Sequence, residues 1–309
     1  MSDLVSPGAP RAGAAGASGA GVRGAGVTAT VASAVDPMMP HLARIEEIVA
    51  ETASGDVKTF RVQFLDPETS FSHLPGQCAM VSVLGVGEAM ISISSSPTRH
   101  RPLELAVKQV GRLTTRLHEM EPGDVIGVRG PYGNHFPFED MKGKDLLFIG
   151  GGIGLAPLRS LINYVLDNRG DYGKIDIIYG ARSPGDLCFK RELYDVWPLA
   201  PDTRVLLTVD RGDEEWKGAV ALVPHFLEQV HPEPEGKLAI TCGPPIMIKF
   251  TLESLKKLGF ADEQIVTTLE LKMQCGIGKC GRCNIGSRYV CLDGPVFTLA
   301  QLKTMPAEY

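Results

Sequence analysis

What this 309-residue chain lacks already narrows its function. It has no run of about 18 apolar residues, so no segment of it reads as a membrane-spanning helix. It has no surplus of basic residues: 31 Lys and Arg stand against 36 Asp and Glu, a formal net charge of −5. That excludes the positive footprint of a nucleic-acid binder and a polybasic membrane anchor. Cysteine is scarce, with seven in the chain, too few for a disulfide scaffold. Residues 1–40 contain no aromatic residue, and glycines interrupt every apolar run that a secretory signal would need. Such a Gly/Ala-rich stretch buries nothing to offset the entropy of ordering it, so a disordered extension is expected there. The chain as a whole is 44% hydrophobic, enough for two domains and a third short segment.

From residue 41 to 142 the pattern is β throughout. Runs at 43–50, 57–65, 78–84, 90–94, 103–110 and 125–129 are rich in β-branched and aromatic residues, punctuated by Pro75-Gly76 and Pro122-Gly123. Six short strands without long helices predict a small closed barrel or sandwich. From 143 to 264 strands alternate with helices. Apolar runs at 145–150, 175–179, 205–209 and 238–241 are joined by a helical stripe of Leu158, Leu161, Ile162, Val165 and Leu166, and by a helix over 246–258 stopped at Gly259. That alternation predicts a parallel α/β sheet binding ligands at the carboxyl ends of its strands. Residues 265–309 hold few obvious elements.

Four of the seven cysteines nevertheless fall within 17 residues: Cys275, Cys280, Cys283 and Cys291, spaced C-x4-C-x2-C-x7-C. Glycines between them let the chain wrap one centre with N–H groups aimed at sulfur. The spacing is that of a plant-type [2Fe–2S] cluster. Structural zinc is the competing reading, although its ligands usually come as two close pairs across a longer loop, and unligated thiols are the third. Thiolate chemistry of this kind implies the reducing cytoplasm. Upstream, Gly150-Gly151-Gly152-Ile153-Gly154-Leu155-Ala156-Pro157 follows a strand and opens a helix. Glycines there allow a pyrophosphate close to the backbone, and the helix start supplies free N–H groups. Pro157 stands where the usual dinucleotide fingerprint has a third glycine.

With these residues in order, the sequence resembles the ferredoxin–NADP reductase superfamily. More narrowly it resembles the iron–sulfur flavoprotein subunits that serve larger enzymes. Those are the gamma (diaphorase) subunit of cytoplasmic NiFe hydrogenases and sulfhydrogenases, the corresponding subunit of anaerobic sulfite reductase, and the dihydroorotate dehydrogenase electron-transfer subunit. The resemblance spans residues 42–297. It implies a six-stranded antiparallel FAD barrel, a parallel-sheet NAD(P) domain and a small C-terminal iron–sulfur segment. Ile91, Ser92, Ile93 and Ser94 are similar to the flavin motif R-x-Y-S-x-x-S, with Ala89 where the phosphate-binding arginine stands and Ile91 in place of the aromatic residue. Gly111, Leu113, Thr114 and Thr115 match the FAD pyrophosphate turn, where Arg112 or Arg116 is the expected substitute for that arginine. Gly130-Pro131-Tyr132-Gly133 resembles the segment closing the flavin domain. Gly151, Gly152, Gly154 and Pro157 match the NAD(P) pyrophosphate loop, and Tyr179-Gly180-Ala181-Arg182 a strand end of that domain. Cys242, Gly243 and Pro244 match C-G-P-P, which in the family lies beside the nicotinamide and makes Cys242 the implied catalytic position; a buried strand-end thiol is the alternative. Glu270 to Cys280 resembles the lead-in to the subunit-type cluster.

The expected function is an electron-transfer subunit linking NAD(P)H, FAD, a [2Fe–2S] cluster and a partner redox subunit, that of a cytoplasmic NiFe hydrogenase first. A stand-alone reductase for a soluble carrier is the alternative within the same chemistry, and a zinc-stabilised nucleotide sensor the alternative outside it. Arg182, followed by Lys190 and Arg191, leans the expectation towards NADP(H) over NAD(H), although Asp186 and Glu192 are placed to neutralise them.

Overall fold

The computed structural model describes residues 36–99 and 101–306, so residues 1–35 of the expected extension lie outside the described residues. Residues 36–40 already belong to the body. Met39 N donates to Asp36 O at 3.0 Å, and Tyr132 Oη donates to Pro37 O at 2.7 Å.

Strands β1 (His41–Ala50), β2 (Val57–Phe64), β3 (Cys78–Val83), β4 (Gly87–Ser92) and β5 (Leu103–Lys108) precede helix α1 (Arg112–His118) and β6 (Val125–Tyr132). They pair antiparallel in the order β4-β3-β6-β1-β2-β5. The chain just past β4 closes the ring: Ile93 bridges Leu105, and Ser94 N donates to Glu104 O at 2.9 Å. The six expected strands and the closed barrel are therefore present. Alternation sends Ala43, Ile45, Phe60, Val62, Ala79, Val81 and Val128 inward, where Leu113 and Leu117 of α1 join them.

The second body runs β7 (Asp145–Gly151), α2 (Leu155–Asp167), β8 (Ile175–Ala181), β9 (Thr203–Val209), β10 (Ala219–Val220), α3 (Val223–Val230), β11 (Lys237–Cys242), α4 (Pro245–Lys257) and β12 (Ile265–Thr268). A lobe with β13 (Asn284–Ile285), β14 (Arg288–Tyr289) and α5 (Val290–Asp293) follows, then β15 (Val296–Thr298) and α6 (Leu299–Leu302). The sheet order is β10-β9-β8-β7-β11-β12-β15, parallel except for the antiparallel β15. Leu146 to Ile149 are fully buried because both faces are covered, by α2 on one side and by α3 and α4 on the other. Strand order reverses at β7, with β8 on one side and β11 on the other, which opens a ligand crevice at their carboxyl ends. The expected third segment starts inside this sheet. Ile265–Thr268 and Val296–Thr298 pair with each other at its edge, so the cysteine lobe is an excursion between two neighbouring strands.

A buried ion network ties the helix after the glycine loop to the barrel. Arg159 of α2, 5% exposed, donates to Glu104 of β5, to Glu192 at 2.5 Å and to the Ser94 carbonyl at 3.1 Å, with its guanidinium 4.9 Å from the Phe189 ring centre. Arg61 extends the chain to Glu104 at 2.8 Å and Glu47 at 2.5 Å. Removing one member strands buried charge, so Arg159→Met is expected to cost about 3–5 kcal/mol, read as a lowered urea midpoint. Glu104 also sets a pH dependence. Burial alone would raise its carboxyl, but Arg159 and Arg61 overcome this and hold it below the ordinary value. Its share of stability is present above the unfolded carboxylate range and is lost as pH falls through the depressed value. Glu51, lifted chiefly by burial, titrates with the opposite sign.

Candidate functional site

The crevice is built where two strand-to-helix crossovers touch. A Cβ on Gly154 would stand 2.5 Å from Gly243 Cα and 2.6 Å from Cys242 O, and one on Gly151 would meet Met247 Sδ at 2.2 Å. Only glycine permits this approach, and Gly152 has a positive φ of 52° besides. Pro157 lies buried in the first turn of α2, while Pro244 caps α4 and Pro245 opens it. Tyr179 Oη donates to Gly152 O at 3.0 Å and accepts from Cys188 N at 3.2 Å, fixing the loop from beneath. The structure thus brings Gly151, Gly152, Gly154, Cys242, Gly243 and Pro244 together at the strand ends, Gly154 packed on the Cys242–Gly243 backbone and Gly152 facing open space, so bare backbone is presented as a dinucleotide pyrophosphate requires. Arg182 emerges exposed just past β8, with Lys190 and Arg191 also exposed. The two carboxylates set against them are engaged elsewhere: Asp186 accepts from Ser183 Oγ at 2.7 Å, and Glu192 is held by Arg159.

The flavin motif is divided by the pleat. Ile93 is fully buried, and Ile91 packs on the barrel core, so their side chains face away from any ligand. Ser94 is buried too, its hydroxyl donating to Glu104 O at 3.0 Å, and the Ser95 carbonyl accepts from Ser160 Oγ at 2.7 Å. Ser92 points outward instead, 3.8 Å from the Cys78 thiol. At the pyrophosphate turn, Thr114 is absorbed by local capping: its hydroxyl accepts from the N–H groups of Val110 and Gly111, both at 2.9 Å. Leu113 is a core residue, and half-buried Thr115 remains at the helix start. Arg112 donates to the Val86 carbonyl and Arg116 pairs with Glu119 at 3.3 Å; both stay at the surface. Val110, just before this helix, is 77% exposed.

Each half contributes a buried thiol, Cys78 from the barrel and Cys242 from the sheet. Cys242, 7% exposed, accepts from Thr268 Oγ1 at 3.0 Å. Burial pushes its thiol up to about 12 and the Cys78 thiol up to about 11, and the Glu270 carboxylate raises both. Both thiols therefore keep their protons near pH 7. Cys78 and Thr268 escape a reading of the sequence because a lone thiol or hydroxyl carries no pattern. His135 is exposed, its Nδ1 bonded to the Phe136 carbonyl at 2.8 Å.

In the lobe the four cysteine thiols are near enough to influence one another, Cys275 with Cys280 and Cys291 with both Cys283 and Cys275. Among the described residues no three His, Cys, Asp or Glu side chains converge as they would on a single ion. Burial pushes the Cys275 thiol up, but N–H groups of Ile277, Cys280 and Lys279 outweigh it and bring it down to about 6. Gly278 N likewise donates to Cys291 Sγ at 3.2 Å. Backbone N–H groups aimed at sulfur are what a thiolate-held iron–sulfur centre requires, so the donor set fits one. Of the four, Cys280 alone is exposed. The segment expected to close the flavin domain also grips this lobe. Asn134 Nδ2 donates to Asp293 O at 2.9 Å and Val296 O at 2.7 Å, and its Oδ1 accepts from Val296 N at 2.9 Å.

Known families follow the same division. Residues 45–136 match the oxidoreductase FAD-binding domain, 148–253 the oxidoreductase NAD-binding domain, and 270–303 the iron–sulfur cluster binding domain of dihydroorotate dehydrogenase B. Sulfhydrogenase 1 subunit gamma of Pyrococcus furiosus is 40% identical over 282 residues, 87% of this chain and 96% of its own. A probable dihydroorotate dehydrogenase B (NAD(+)) electron transfer subunit of Methanocaldococcus jannaschii is 35% identical over 85% of this chain and 91% of its own. Among solved structures, an NADH-dependent reduced ferredoxin-NADP oxidoreductase superposes with a TM-score of 0.69 at 24% identity, over 86% of this chain and 93% of that one, which shows the shared fold. The chain belongs to the oxidoreductase family of FAD- and NAD-binding electron-transfer subunits with a C-terminal iron–sulfur domain, alongside the gamma subunits of sulfhydrogenases and the electron transfer subunits of dihydroorotate dehydrogenase B.

Proposed function

We propose that this chain passes electrons between NAD(P)H and a redox centre on a partner subunit through FAD and a [2Fe–2S] cluster. The observation that carries the reading is continuity. Ser92 lies 3.8 Å from Cys78 on the barrel, Cys78 and Cys242 on the sheet are close enough to influence each other's charge, and Glu270, whose charge reaches both thiols, lies five positions before Cys275. FAD supplies conversion between a two-electron hydride and single electrons, which an iron–sulfur centre carries one at a time. The protein's share is placement. Gly151, Gly152 and Gly154 accept the nicotinamide dinucleotide's pyrophosphate, Cys242 and Pro244 wall its reactive end, and the outward Ser92 with the start of α1 holds the flavin. The buried thiols of Cys78 and Cys242 stay protonated near neutral pH.

Cys275, Cys280, Cys283 and Cys291 would hold the centre, and their C-x4-C-x2-C-x7-C spacing suits an iron–sulfur cluster better than the two close pairs usual for structural zinc. Similarity to the sulfhydrogenase gamma subunit at 40% identity, against 35% for the dihydroorotate dehydrogenase relative, supports a hydrogenase-type partner. No helix among the described residues is long and apolar enough to cross a membrane, and free thiols suit a reducing cytoplasm.

Purified protein is expected to carry two irons and two labile sulfides per chain and to co-elute from its native source with hydrogenase subunits. Zinc without iron would overturn the reading. Because Asp186 and Glu192 are occupied, Arg182, Lys190 and Arg191 are free to face a 2′-phosphate. kcat/KM is expected to be about tenfold higher with NADPH than with NADH, or about 1.4 kcal/mol. Equal efficiency in steady-state kinetics would remove that preference.

A further inference from the structure

Arg129 is the second arginine buried in the body, and it belongs to neither nucleotide site. It sits in β6 with 2% of its surface exposed. Every guanidinium nitrogen is engaged. Nε and Nη2 donate to the two Glu88 oxygens at 3.2 and 2.8 Å, and Nη1 donates to Tyr132 Oη at 2.8 Å and approaches Met38 Sδ at 3.6 Å. The remaining bonds cross to the cysteine lobe: Nη1 to Cys275 O at 2.7 Å and Nη2 to Gln274 O at 3.1 Å. The contact is tight, for Gly276 runs so close over the Tyr132 ring that a Cβ there would stand 2.8 Å from it. A barrel strand thus holds the two peptide planes that flank Cys275, with a full positive charge at their carbonyls. Glu88, 35% exposed at its side chain, is the one carboxylate among the described residues paired with that charge.

We propose that Arg129 is a positioning residue of the electron path, fixing the Cys275 loop against the flavin barrel and, balanced by Glu88, raising the reduction potential of the centre that the loop holds. This rests on the reading of the lobe as an iron–sulfur site. The physical ground is electrostatic. One-electron reduction adds a negative charge with no accompanying proton, and a buried guanidinium favours the more negative state because little water screens it. Glu88 opposes that effect, more weakly because solvent reaches it. A mere structural strut would have no such sign.

The test is a redox titration of the complete chain, followed by electron paramagnetic resonance, on wild type, Arg129→Gln, Arg129→Lys and Glu88→Gln. Arg129→Gln is expected to lower the midpoint potential by about 59 mV, a tenfold change in the one-electron equilibrium constant. Glu88→Gln should raise it, and Arg129→Lys should stay near wild type because the charge is kept. Opposite shifts from the two neutralising variants support the proposal. If Arg129→Gln fails to retain iron, Glu88→Gln and Arg129→Lys decide it: a potential unmoved or lowered in Glu88→Gln overturns the proposal, as does a fall in Arg129→Lys equal to that expected of Arg129→Gln. A wild-type chain holding zinc and no iron would overturn the assignment of the lobe itself, a separate and earlier failure.

Discussion

Replacing Cys283 with serine is expected to separate the two halves of the reaction. Cys283 is 1% exposed and paired with Cys291 inside the lobe, far in sequence from the glycine loop at 150–154. Serine oxygen is a harder and poorer ligand than thiolate, so iron retention should fall and electron delivery to the partner should drop by at least about 100-fold, since even the loss of outer-shell support costs 10- to 100-fold. Both nucleotide-binding bodies have cores that exclude this lobe, so they should stay folded. NAD(P)H should still bleach the flavin and reduce a two-electron dye at near wild-type rates. Rapid-mixing absorbance on the variant would follow flavin and partner separately. Partner reduction at full rate after demonstrated iron loss would mean that the lobe is structural and the electron path wrong.

Gly154→Ala is expected to do the reverse, sparing the lobe and crippling the nicotinamide side. The new Cβ would press on backbone at Gly243 and Cys242, which cannot swing aside as a flexible side chain would. Overpacking of this kind costs about 1–3 kcal/mol. Falling in the loop proposed to hold the dinucleotide, it should appear as a KM for NAD(P)H about tenfold to hundredfold higher, with flavin and iron contents unchanged. Gly170→Ala is the control, since a Cβ there meets nothing within 4 Å. An unchanged KM in Gly154→Ala would show that the two crossovers need not touch to bind nucleotide.

Long, regular elements are legible in the sequence for simple physical reasons. Six barrel strands, β7, β8, β9, β11 and the helices α2 and α4 announce themselves through alternation, continuous apolar runs or a 3.6-residue stripe. β12 and β15, four and three residues long, are too short for any period to register, so the pattern places the end of the sheet before them. The four cysteines are legible because ligand spacing is a local property. Long-range polar contacts are not. Arg129 meets Cys275 across 146 positions, and Arg159 meets Ser94 across 65, and in sequence each reads as one more solvated charge. The serine run at 94–96 invites a reading as flavin contacts because its hydroxyls are polar and adjacent. In the fold Ser94 and the Ser95 carbonyl close the barrel and dock α2, which leaves Ser92 as the motif's outward hydroxyl.

Thr268 and Val296 face each other as paired residues of β12 and β15. Everything between them leaves the sheet and returns to it at one spot, where antiparallel neighbours stand only about 5 Å apart. A segment anchored that way is a cassette. It can be deleted and its ends rejoined by a tight hairpin of about two residues without disturbing a single ladder bond deeper in the sheet. Removing it would leave the sheet's order intact but would strand the buried Arg129 guanidinium, whose bonds to Gln274 O and Cys275 O it would take away. The grip of Arg129 and Asn134 is what ties that cassette to the barrel as well as to the sheet.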